Sequence, residues 1–440
     1  MIPEIFSSLE TYLGHYARRK AQFPGHPRDS PRRTRRLLDL LGRPERAFSI
    51  VRVVGTKGKG STAAMLEAVL RAGGYRTGLY TSPHLHSPRE RIQVQGSAIS
   101  RPAFSAALRC LLPLLEETLG WADLGPATLF EGLTAVAMVH FARYGAELVV
   151  AEAGMGGRSD ATQSLSPLLT LLTPIALDHQ EYLGDTLEEI AAEKAGAIPP
   201  RGRVLSAPQP PQVWAVVERR CQEVRAGLEL AKGDVPVLGL AGSHQQINAR
   251  LALAAVAALG ELGRPVPEDA VREGLRAVHW PGRLEVVAGR PLTLVDGAHD
   301  PAAADALAAA LRGGRGGSPF SGRPRIFLFG SSADKDLPGI ISALAPLGDG
   351  VVVTQARHHR AAAVERLAAF WREHRVPVEV AAEVGMALQR AREWAGPAGL
   401  ACVCGSFFVL AEAREALGLA VREPWPEPAR AICLEAGPML

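Results

Sequence analysis

The sequence predicts an α/β protein with two domains, and three observations support this prediction. Short apolar runs typical of buried strands alternate with helical patterns through most of the 440 residues. A glycine-rich loop follows an early strand, and a second series of strands and helices begins near residue 289. The length and the 47% hydrophobic content allow two sizeable cores. We therefore expect a phosphate-loop domain with a mainly parallel sheet in residues 1–288 and a smaller Rossmann-like domain in residues 289–440.

The elements of the first domain follow from apolar runs and from their start and stop signals. Thr186-Leu-Glu-Glu189 has the spacing of a capping box, so a helix should begin there and continue through Lys194. Strands are predicted at Ser49 to Val54, Glu147 to Ala151 and Leu168 to Leu177, the last interrupted by Pro174; helices are predicted at Ser61 to Ala72, ended by Gly73-Gly74, and at His244 to Gly260. A boundary is expected near Trp280-Pro-Gly-Arg-Leu-Glu285.

The second domain is predicted from five short strands, most of which precede helical patterns. These strands are Leu292 to Val295, Ile326 to Phe329, Val351 to Thr354, Val378 to Ala382 and Leu400 to Cys404. The Gly, Ser, Arg and Pro-rich stretch Gly313 to Pro324 is interpreted as a surface loop within this domain.

Composition excludes several classes of protein. No apolar run approaches the roughly 18 residues of a membrane helix, and the polar segment Met1 to Lys20 lacks a signal core, so we expect a cytoplasmic protein without a membrane partner. A net charge of +4 is too small and too dispersed to indicate nucleic-acid binding. The five scattered cysteines are interpreted as reduced packing residues.

One dense basic stretch stands out against this even charge. It consists of Arg32, Arg33, Arg35 and Arg36. We interpret it as the solvated start of a helix; the alternative is a rim that attracts an anionic substrate.

A loop between the first strand and the next helix has the features of a phosphate-binding site. Its residues are Gly55, Thr56, Lys57, Gly58, Lys59, Gly60, Ser61 and Thr62. Glycines allow backbone amides to close on phosphate oxygens, and the helix N-terminus adds a favourable partial charge. Lys59 would reach the outer phosphates, and Ser61 or Thr62 would offer a hydroxyl to Mg²⁺. Gly60 separates the lysine from the hydroxyl residue, unlike the standard pattern, and a glycine-rich turn with two solvated lysines is the alternative. The loop alone does not distinguish a motor protein, a kinase and a ligase.

Further polar residues follow the neighbouring predicted strands. Glu152 ends one strand and precedes a glycine-rich loop, while Asp178-His179 follows the next. Carboxyl ends of parallel strands are where α/β sheets bind ligands, so Glu152 and His179 are candidate ligands of one Mg²⁺ ion. Taken singly, Glu152 fits a paired buried acid, His179 a helix-start histidine and Lys194 a solvated partner of a glutamate. Their shared position favours function.

Many motifs in order resemble one family over nearly the whole chain. These are Val54-Gly-Thr-Lys-Gly-Lys-Gly-Ser61, Tyr80-Thr-Ser-Pro-His-Leu85 (which includes Ser82 and Pro83), Arg89-Glu-Arg-Ile92, Phe130-Glu-Gly-Leu-Thr134, Glu152-Ala-Gly-Met-Gly-Gly-Arg-Ser-Asp160, Leu177-Asp-His179, Glu193-Lys-Ala-Gly196, Trp280-Pro-Gly-Arg-Leu-Glu285 and Asp296-Gly-Ala-His299. Together they resemble the folylpolyglutamate synthase/dihydrofolate synthase family of the Mur ligase superfamily.

The resemblance implies roles for individual residues. Ser61 would bind one Mg²⁺ ion, and Glu152 with His179 a second; Lys59 would bind phosphate, and Lys194 matches a lysine that is carbamylated in the family. Residues with other implied roles are Asn248, Arg283 and Asp296 at the nucleotide, Ser82, Pro83, Phe130 and Asp160 at the pterin substrate, and His299 and Ser406 near the incoming glutamate.

Three positions depart from the family pattern, which has Asn at each. They are Lys57 in the phosphate loop, Gln163 after Asp-Ala-Thr, and Asp300 after the Asp-Gly-Ala-His motif. Lys57 adds charge near the phosphates, and Gln163 keeps an amide on a longer arm. Asp300 replaces an amide by an anion.

The resemblance implies an ATP-dependent ligase that activates a carboxylate as an acyl phosphate. The substrates would be dihydropteroate or reduced folates together with L-glutamate, and the enzyme would be a monomer. The motif Tyr80-Thr-Ser-Pro-His-Leu85 argues against a Mur-type ligase that acts on a nucleotide-linked cell-wall precursor. A phosphate-loop kinase, or an ATP-binding protein without chemistry, would also account for the phosphate loop.

Overall fold

The computed structural model describes residues 27–313 and 320–421, and these form two compact units. The first contains residues 27–232 and Leu251–Val266; the second contains Gly233–Arg250 and, from Pro267, the rest of the described chain. Part of the predicted loop Gly313 to Pro324 and Cys433 lie outside the described residues.

The first unit alternates strands and helices. Its strands are β1 (Ser49–Val54), β2 (Thr77–Tyr80), β3 (Ile92–Val94), β4 (Ser97–Ala98), β5 (Leu148–Glu152), β6 (Leu169–Leu172), β7 (Arg203–Ser206) and β8 (Gly227–Leu230). Its helices are α1 (Ser30–Leu40), α2 (Lys59–Ala72), α3 (Arg101–Thr118), α4 (Leu129–Tyr144), α5 (Gln180–Leu183), α6 (Leu187–Ala195) and α7 (Pro211–Val224). Thr186 and Glu189 form the predicted capping box of α6.

The sheet of the first unit has, within the described chain, the order β4-β3-β2-β5-β1-β6-β7-β8. The strands from β2 to β8 in this order are parallel. Strand β3 runs antiparallel to β2, and β4 antiparallel to β3. Because β5, β1 and β6 lie side by side and run in one direction, the segments that follow them emerge at one edge of the sheet.

The second unit contains a smaller sheet. Two helices precede it in the chain, α8 (His244–Glu261) and α9 (Glu268–Ala277). Its strands are β9 (Glu285–Gly289), β10 (Leu292–Val295), β11 (Arg325–Phe329), β12 (Gly350–Val353), β13 (Val378–Val380) and β14 (Leu400–Cys404). The helices between and after them are α10 (Pro301–Arg312), α11 (Leu337–Leu344), α12 (Val364–Glu373), α13 (Val384–Ala395) and α14 (Phe407–Ala416).

The order of this second sheet, over the described strands, is β13-β12-β11-β14-β10-β9. All pairs are parallel except β9 with β10. The predicted α/β class is therefore confirmed. The second unit takes up the chain again at Pro267, ahead of the expected boundary after residue 288. A boundary at 288 would cut through β9, which pairs with β10 in the same sheet.

Only part of the basic stretch in α1 is solvated: the side chains of Arg32 and Arg36 are exposed, whereas Arg33 is buried. Arg33 is 2% exposed and makes a two-pronged ion pair with Glu131, at 2.9 and 2.8 Å. Arg35 pairs with Glu45, and Arg36 lies 4.4 Å from the Trp121 ring. The predicted solvated start is wrong for Arg33, because a distant carboxylate on α4 neutralises its charge inside the protein.

Two other expectations concern cysteines and membranes. Cys221, Cys402 and Cys404 are free and buried, as packing residues should be, but Cys110 is exposed on α3. Among the helices that the structure describes, none combines the length and apolar composition needed to cross a membrane.

Candidate functional site

Three predicted site segments leave the first sheet at the same edge. Val53 of β1 is in register with Glu152, the last residue of β5, and Val54 is in register with Leu172, the last residue of β6. The phosphate loop follows Val54 directly. Register alone therefore places the carboxylate of Glu152 beside the start of this loop, on the edge where parallel sheets bind ligands.

The phosphate loop is fastened to the segment that follows β6. The amides of Thr56 and Lys57 both donate to the carbonyl oxygen of Pro174, each at 3.0 Å. Gly55 has a φ of +148°, and a Cβ atom there would lie 2.0 Å from Oγ1 of Thr173. Only glycine fits this close approach.

The loop ends in a helix N-terminus that has no side-chain cap. Gly58, with a left-handed φ of +83°, is the N-cap residue of α2, so the helix starts at Lys59, two residues before the predicted Ser61. Ser61 and Thr62 are buried in the first turn. Oγ1 of Thr62 is buried and has no hydrogen-bond partner in the described part of the chain. Uncapped amides and a buried hydroxyl suit an anionic ligand with a hard cation.

Lys194 meets the phosphate loop from the last turn of α6. Its side chain is 3% exposed, and Nζ donates a hydrogen bond of 2.9 Å to the carbonyl oxygen of Gly55. Burial, and then the positive charge of Lys59, lower the pKa of Lys194 to about 7. The neutral amine is therefore well populated at physiological pH.

The segment after β6 supplies a carboxylate to the unusual loop lysine. Nζ of Lys57 lies 3.5 Å from Oδ2 of Asp178. His179 follows with a left-handed φ of 50° as the N-cap residue of α5, and its side chain is 47% exposed. Part of the charge that Lys57 adds is thus paired within the protein.

Glu152 is 4% exposed, and its Oε2 accepts the amide of Ser82 at 3.1 Å. The Ser82–Pro83 peptide bond is cis. The described residues contain no group of three or more His, Cys, Asp or Glu side chains arranged to hold a metal. Of the three predicted magnesium ligands, two are residues of these four types, Glu152 and His179. The third is the hydroxyl of Ser61. A buried carboxylate and a hydroxyl at a phosphate loop are hard oxygen donors, so this set fits Mg²⁺.

The loop after Glu152 is organised by two of the predicted substrate residues. Asp160 accepts the amides of Met155 and Thr162, at 3.0 and 2.9 Å, and burial raises its pKa against these bonds. The ring of Phe130 covers Gly154, where an added Cβ would lie 2.5 Å from Cζ. Phe130 and Asp160 therefore shape the same loop, and their contact with a substrate stays a prediction.

In the second unit, Asp296 follows β10 and collects polar partners. It is 8% exposed and accepts the amides of Leu284 and Ala298, both at 2.9 Å. Burial raises the pKa of Asp296, the Arg283 guanidinium opposes this rise, and burial lowers the pKa of His244. The predicted pair Arg283 and Asp296 is brought together, whereas the amide of Asn248, on α8, bonds Gln245 at 2.8 Å.

The two residues predicted to lie near the glutamate substrate, His299 and Ser406, follow β10 and β14. The rings of His299 and Phe407 have centroids 5.1 Å apart, and Nδ1 of His299 lies 2.7 Å from the carbonyl oxygen of Gly297. Ser406 is buried and caps α14 by accepting the amide of Phe408. Asp300 caps α10 by accepting the amide of Ala303 at 3.0 Å. The departure at residue 300 thus keeps the capping function that Asn would serve.

Two buried arginines of the first unit were not predicted as buried or as contacting site segments. Arg33, assigned to a solvated face, pairs with Glu131, next to Phe130. Arg52 is 1% exposed in the centre of β1 and contacts Gln163. A single charge inside the apolar run Ser49–Val54 was the available signal for Arg52.

Comparisons with known proteins agree on one kind of protein. The family described as "Mur ligase, glutamate ligase domain" matches residues 282–407. The chain is 38% identical over 373 residues to the dihydrofolate synthase/folylpolyglutamate synthase of Mycobacterium tuberculosis, a match that covers 76% of this chain and 75% of the relative. A crystal structure of the M. tuberculosis folylpolyglutamate synthase with ADP and AMPPCP has a TM-score of 0.81 at 33% identity, covering 93% of this chain and 98% of the other.

A longer archaeal relative matches only in part. The chain is 35% identical over 409 residues to a probable bifunctional folylpolyglutamate synthase/dihydropteroate synthase of Haloferax volcanii, covering 86% of this chain. The match spans 47% of that relative, so this chain corresponds to about half of its length.

Proposed function

This chain belongs to the folylpolyglutamate synthase/dihydrofolate synthase family, and we propose that it is an ATP-dependent ligase that joins L-glutamate to a pterin or folate carboxylate. The observation that carries the proposal is the shared edge of β5, β1 and β6. There, the phosphate loop and the buried carboxylate of Glu152 follow adjacent strands, and the buried amine of Lys194 contacts the loop from α6. Binding of ATP alone would not require the last two groups.

The reaction needs activation because a carboxylate oxygen is a poor leaving group. The carboxylate of dihydropteroate, or the γ-carboxylate of a folate glutamyl group, attacks the γ-phosphorus of ATP and releases ADP. The amine of glutamate then attacks the acyl carbon, phosphate leaves, and the nitrogen loses a proton. Amide, ADP and phosphate are the products.

The first unit stabilises the charge that moves in the first step. The amides at the start of α2 and the ammonium group of Lys59 would bind the phosphates. Ser61 would hold one Mg²⁺ ion, and Glu152 with His179 a second, and bound Mg²⁺ neutralises phosphate charge. Phe130 and Asp160, beside the glycine-rich loop, would orient the pterin.

Lys194 is proposed to act in a carbamylated form. Its pKa of about 7 leaves a neutral amine, which is the form that reacts with carbon dioxide. The carbamate would add an anionic oxygen pair near Gly55, where Lys194 already reaches the loop. This role follows from the family and from the low pKa of the amine.

The second unit is proposed to bind glutamate and part of the nucleotide. Asn248, Arg283 and Asp296 would contact the nucleotide, and His299 and Ser406 the glutamate. If Nδ1 of His299 donates to Gly297, its Nε2 is the nitrogen that can accept a proton from the attacking amine. Orientation of glutamate by the same ring is the simpler role.

One assay tests the proposal and separates it from its rivals. ADP release is measured with dihydropteroate, with a reduced folate and with a muramoyl nucleotide, each with and without glutamate. The proposal expects turnover that requires glutamate and one of the two pterin substrates. Turnover with the muramoyl nucleotide would identify another Mur-type ligase, and a phosphorylated product without glutamate would identify a kinase. If neither pterin substrate gave ADP release in the presence of glutamate, the proposal would be refuted.

Three further properties are part of the proposal. We propose that the chain carries both the dihydrofolate synthase and the folylpolyglutamate synthase activity, because relatives with both names match it. We also propose a monomer in the cytoplasm. Comparing the two pterin substrates tests the first property, and sedimentation equilibrium tests the oligomeric state.

A further inference from the structure

Arg52 is an unusual residue for the centre of a parallel sheet. It lies in β1, between Val51 and Val53, three residues before Gly55, and it is 1% exposed. Burial lowers its pKa to about 10, against the raising effect of the Asp160 charge, so the side chain remains charged at neutral pH. A buried charge is costly unless several partners compensate it. An apolar side chain of similar length would pack in the strand without this cost.

The guanidinium group joins two segments that are distant in sequence. Nη1 donates to the carbonyl oxygen of Thr162 at 3.0 Å and to Oε1 of Gln163 at 2.9 Å. Nη2 donates to the carbonyl oxygen of Ala197, just beyond the end of α6. A positive charge at a helix C-terminus also interacts favourably with the helix dipole.

Gln163 completes the connection. Its Nε2 donates to the carbonyl oxygen of Gly196 at 3.2 Å, while its Oε1 accepts from Arg52. The amide therefore bridges the arginine and the end of α6. This is one of the positions at which the chain departs from the family's Asn, and the longer arm of Gln serves the bridge.

Each segment joined by this pair carries a predicted site residue. β1 leads into the phosphate loop, and α6 carries Lys194, which bonds Gly55. Thr162, whose carbonyl Arg52 binds, donates both its amide and its hydroxyl to Asp160, at 2.9 and 2.6 Å. The connection thus runs from the strand to Lys194 and to the predicted substrate residue Asp160, whereas neither Arg52 nor Gln163 is itself a predicted site residue.

We propose that Arg52 and Gln163 are positioning residues that hold the Lys194 amine and the Asp160 loop in register with the phosphate loop. The inference rests on the proposed ligase function. It explains why a charged residue occupies an apolar strand: the planar guanidinium carries five N–H donors and can bond oxygens of two segments at once. Displacements of about 1 Å in such an arrangement are large enough to lower a rate by about 100-fold.

The test uses the full chain and three variants. Arg52→Met removes the charge at similar length, and Gln163→Leu removes the amide bridge. Arg220→Met is the matched control, because Arg220 reaches the neighbouring carbonyl of Ile198 at 3.5 Å from α7 without contacting Gln163. Steady-state kinetics, ADP binding stoichiometry and amide hydrogen exchange are measured for each, with ADP stoichiometry giving the folded, active fraction.

For Arg52→Met we expect kcat per active site to fall about tenfold or more while the KM for ATP stays within about twofold, the pattern of a lost transition-state arrangement. Gln163→Leu should show the same pattern more weakly, and the double variant should lose less than the product of the two effects. Exchange should accelerate at 160–163 and 193–197 in both variants. Arg220→Met should leave kcat and these segments unchanged.

An unchanged kcat in folded Arg52→Met, or a loss that disappears once the active fraction is counted, would overturn the proposal. If Arg52→Met does not fold, Gln163→Leu alone decides by the same criteria, since Gln163 is only half-buried. If the wild-type chain shows no glutamate-dependent turnover, the ligase function fails, and hydrogen exchange still decides the connection: unaltered exchange at 193–197 would refute it.

Discussion

Nζ of Lys194 donates a hydrogen bond of 2.9 Å to the carbonyl oxygen of Gly55, which joins the last turn of α6 to the first residue of the phosphate loop. The lysine is 139 positions from the glycine and 3% exposed. A carbonyl oxygen accepts from a neutral amine as well as from an ammonium group. The contact therefore fixes the nitrogen in place without requiring its charge.

The low pKa of Lys194 makes stability depend on pH. The unfolded chain keeps this proton up to a pKa near 10.5, whereas the folded chain releases it near 7. Because the unfolded state binds more protons between these values, the free energy of unfolding attributable to Lys194 rises with pH there and is lost as pH falls toward 7, by at most about 1.4 kcal/mol per pH unit.

Urea denaturation of the wild type and of Lys194→Met across this range measures the effect. The difference between the two should grow in favour of the wild type as pH rises. The exposed Lys232→Met is the matched control, since its side chain remains in solvent. Parallel pH profiles for the wild type and Lys194→Met would contradict the prediction.

Carbamylation of Lys194 is the second prediction. A buried neutral amine reacts with carbon dioxide, so protein kept in ¹³C-bicarbonate should show a carbamate carbon resonance that is missing from Lys194→Ala. The turnover lost in Lys194→Ala should be partly restored by acetate or propionate, which can place a carboxylate in the vacated space. Lys59→Ala serves as the control that these acids should not restore, and equal ¹³C spectra for the wild type and Lys194→Ala would rule out the carbamate.

Burial explains only part of which strands could be predicted from the sequence. The central strands β1, β10 and β14 are nearly or fully buried, so their sequences are mainly apolar and their bounds were predicted correctly. Strands β2, β3, β4, β7, β8 and β9 were not predicted. Most residues of β8 and β9 are exposed or half-buried, and neither strand forms an apolar run. Strands β2 (Thr-Gly-Leu-Tyr) and β7 (Arg-Val-Leu-Ser) are largely buried, but each contains only two consecutive apolar residues.

Only part of the candidate site could be predicted from the sequence. The prediction that the phosphate loop, Glu152 and His179 share an edge used the rule that ligands bind at the carboxyl ends of parallel strands. The register supports it for the loop and Glu152, and a site that includes His179 stays a prediction. The ion pair of Arg33 with Glu131 and the bond of Arg52 to Gln163 span 98 and 111 positions. No local pattern connects such residues, and only the folded chain brings them together.

The two loop lysines should differ in importance. Lys57 is paired with Asp178, whereas no ion pair to Lys59 is found within the described residues, so the charge of Lys59 is available to a phosphate. We expect Lys59→Ala to lower kcat by about 100-fold or more, and Lys57→Ala by less than about tenfold. Both proteins should melt within a few degrees of the wild type, because both side chains are half-buried loop residues. Comparable kinetic losses would contradict this assignment.

The buried pair of Arg33 and Glu131 should be important for stability. Glu131 is fully buried and also accepts the amide of Thr128 in the capping box of α4. Glu131→Gln keeps the shape and the cap but leaves the Arg33 charge unneutralised, so we expect a loss of about 3–5 kcal/mol in the free energy of unfolding. Urea denaturation measures it.

An exposed ion pair of α1 is the control for this prediction. Arg36 and Asp123 lie 3.5 Å apart with side chains 47% and 60% exposed. Asp123→Asn should change stability by no more than about 1 kcal/mol. A similar loss for Asp123→Asn and Glu131→Gln would show that burial of the Arg33 charge is not the cause.

Variants of Asp300 test whether the departure from the family pattern at this position matters. Its Oδ1 accepts the amide of Ala303 and caps α10, and Asn caps helices about as well as Asp. Asp300→Asn should therefore leave both stability and turnover close to the wild type, whereas Asp300→Ala should lose about 1 kcal/mol in the free energy of unfolding. Asp305→Ala, at an exposed position of the same helix, controls for the loss of a negative charge. If Asp300→Asn lost as much stability as Asp300→Ala, the carboxylate charge rather than the cap would be what residue 300 contributes.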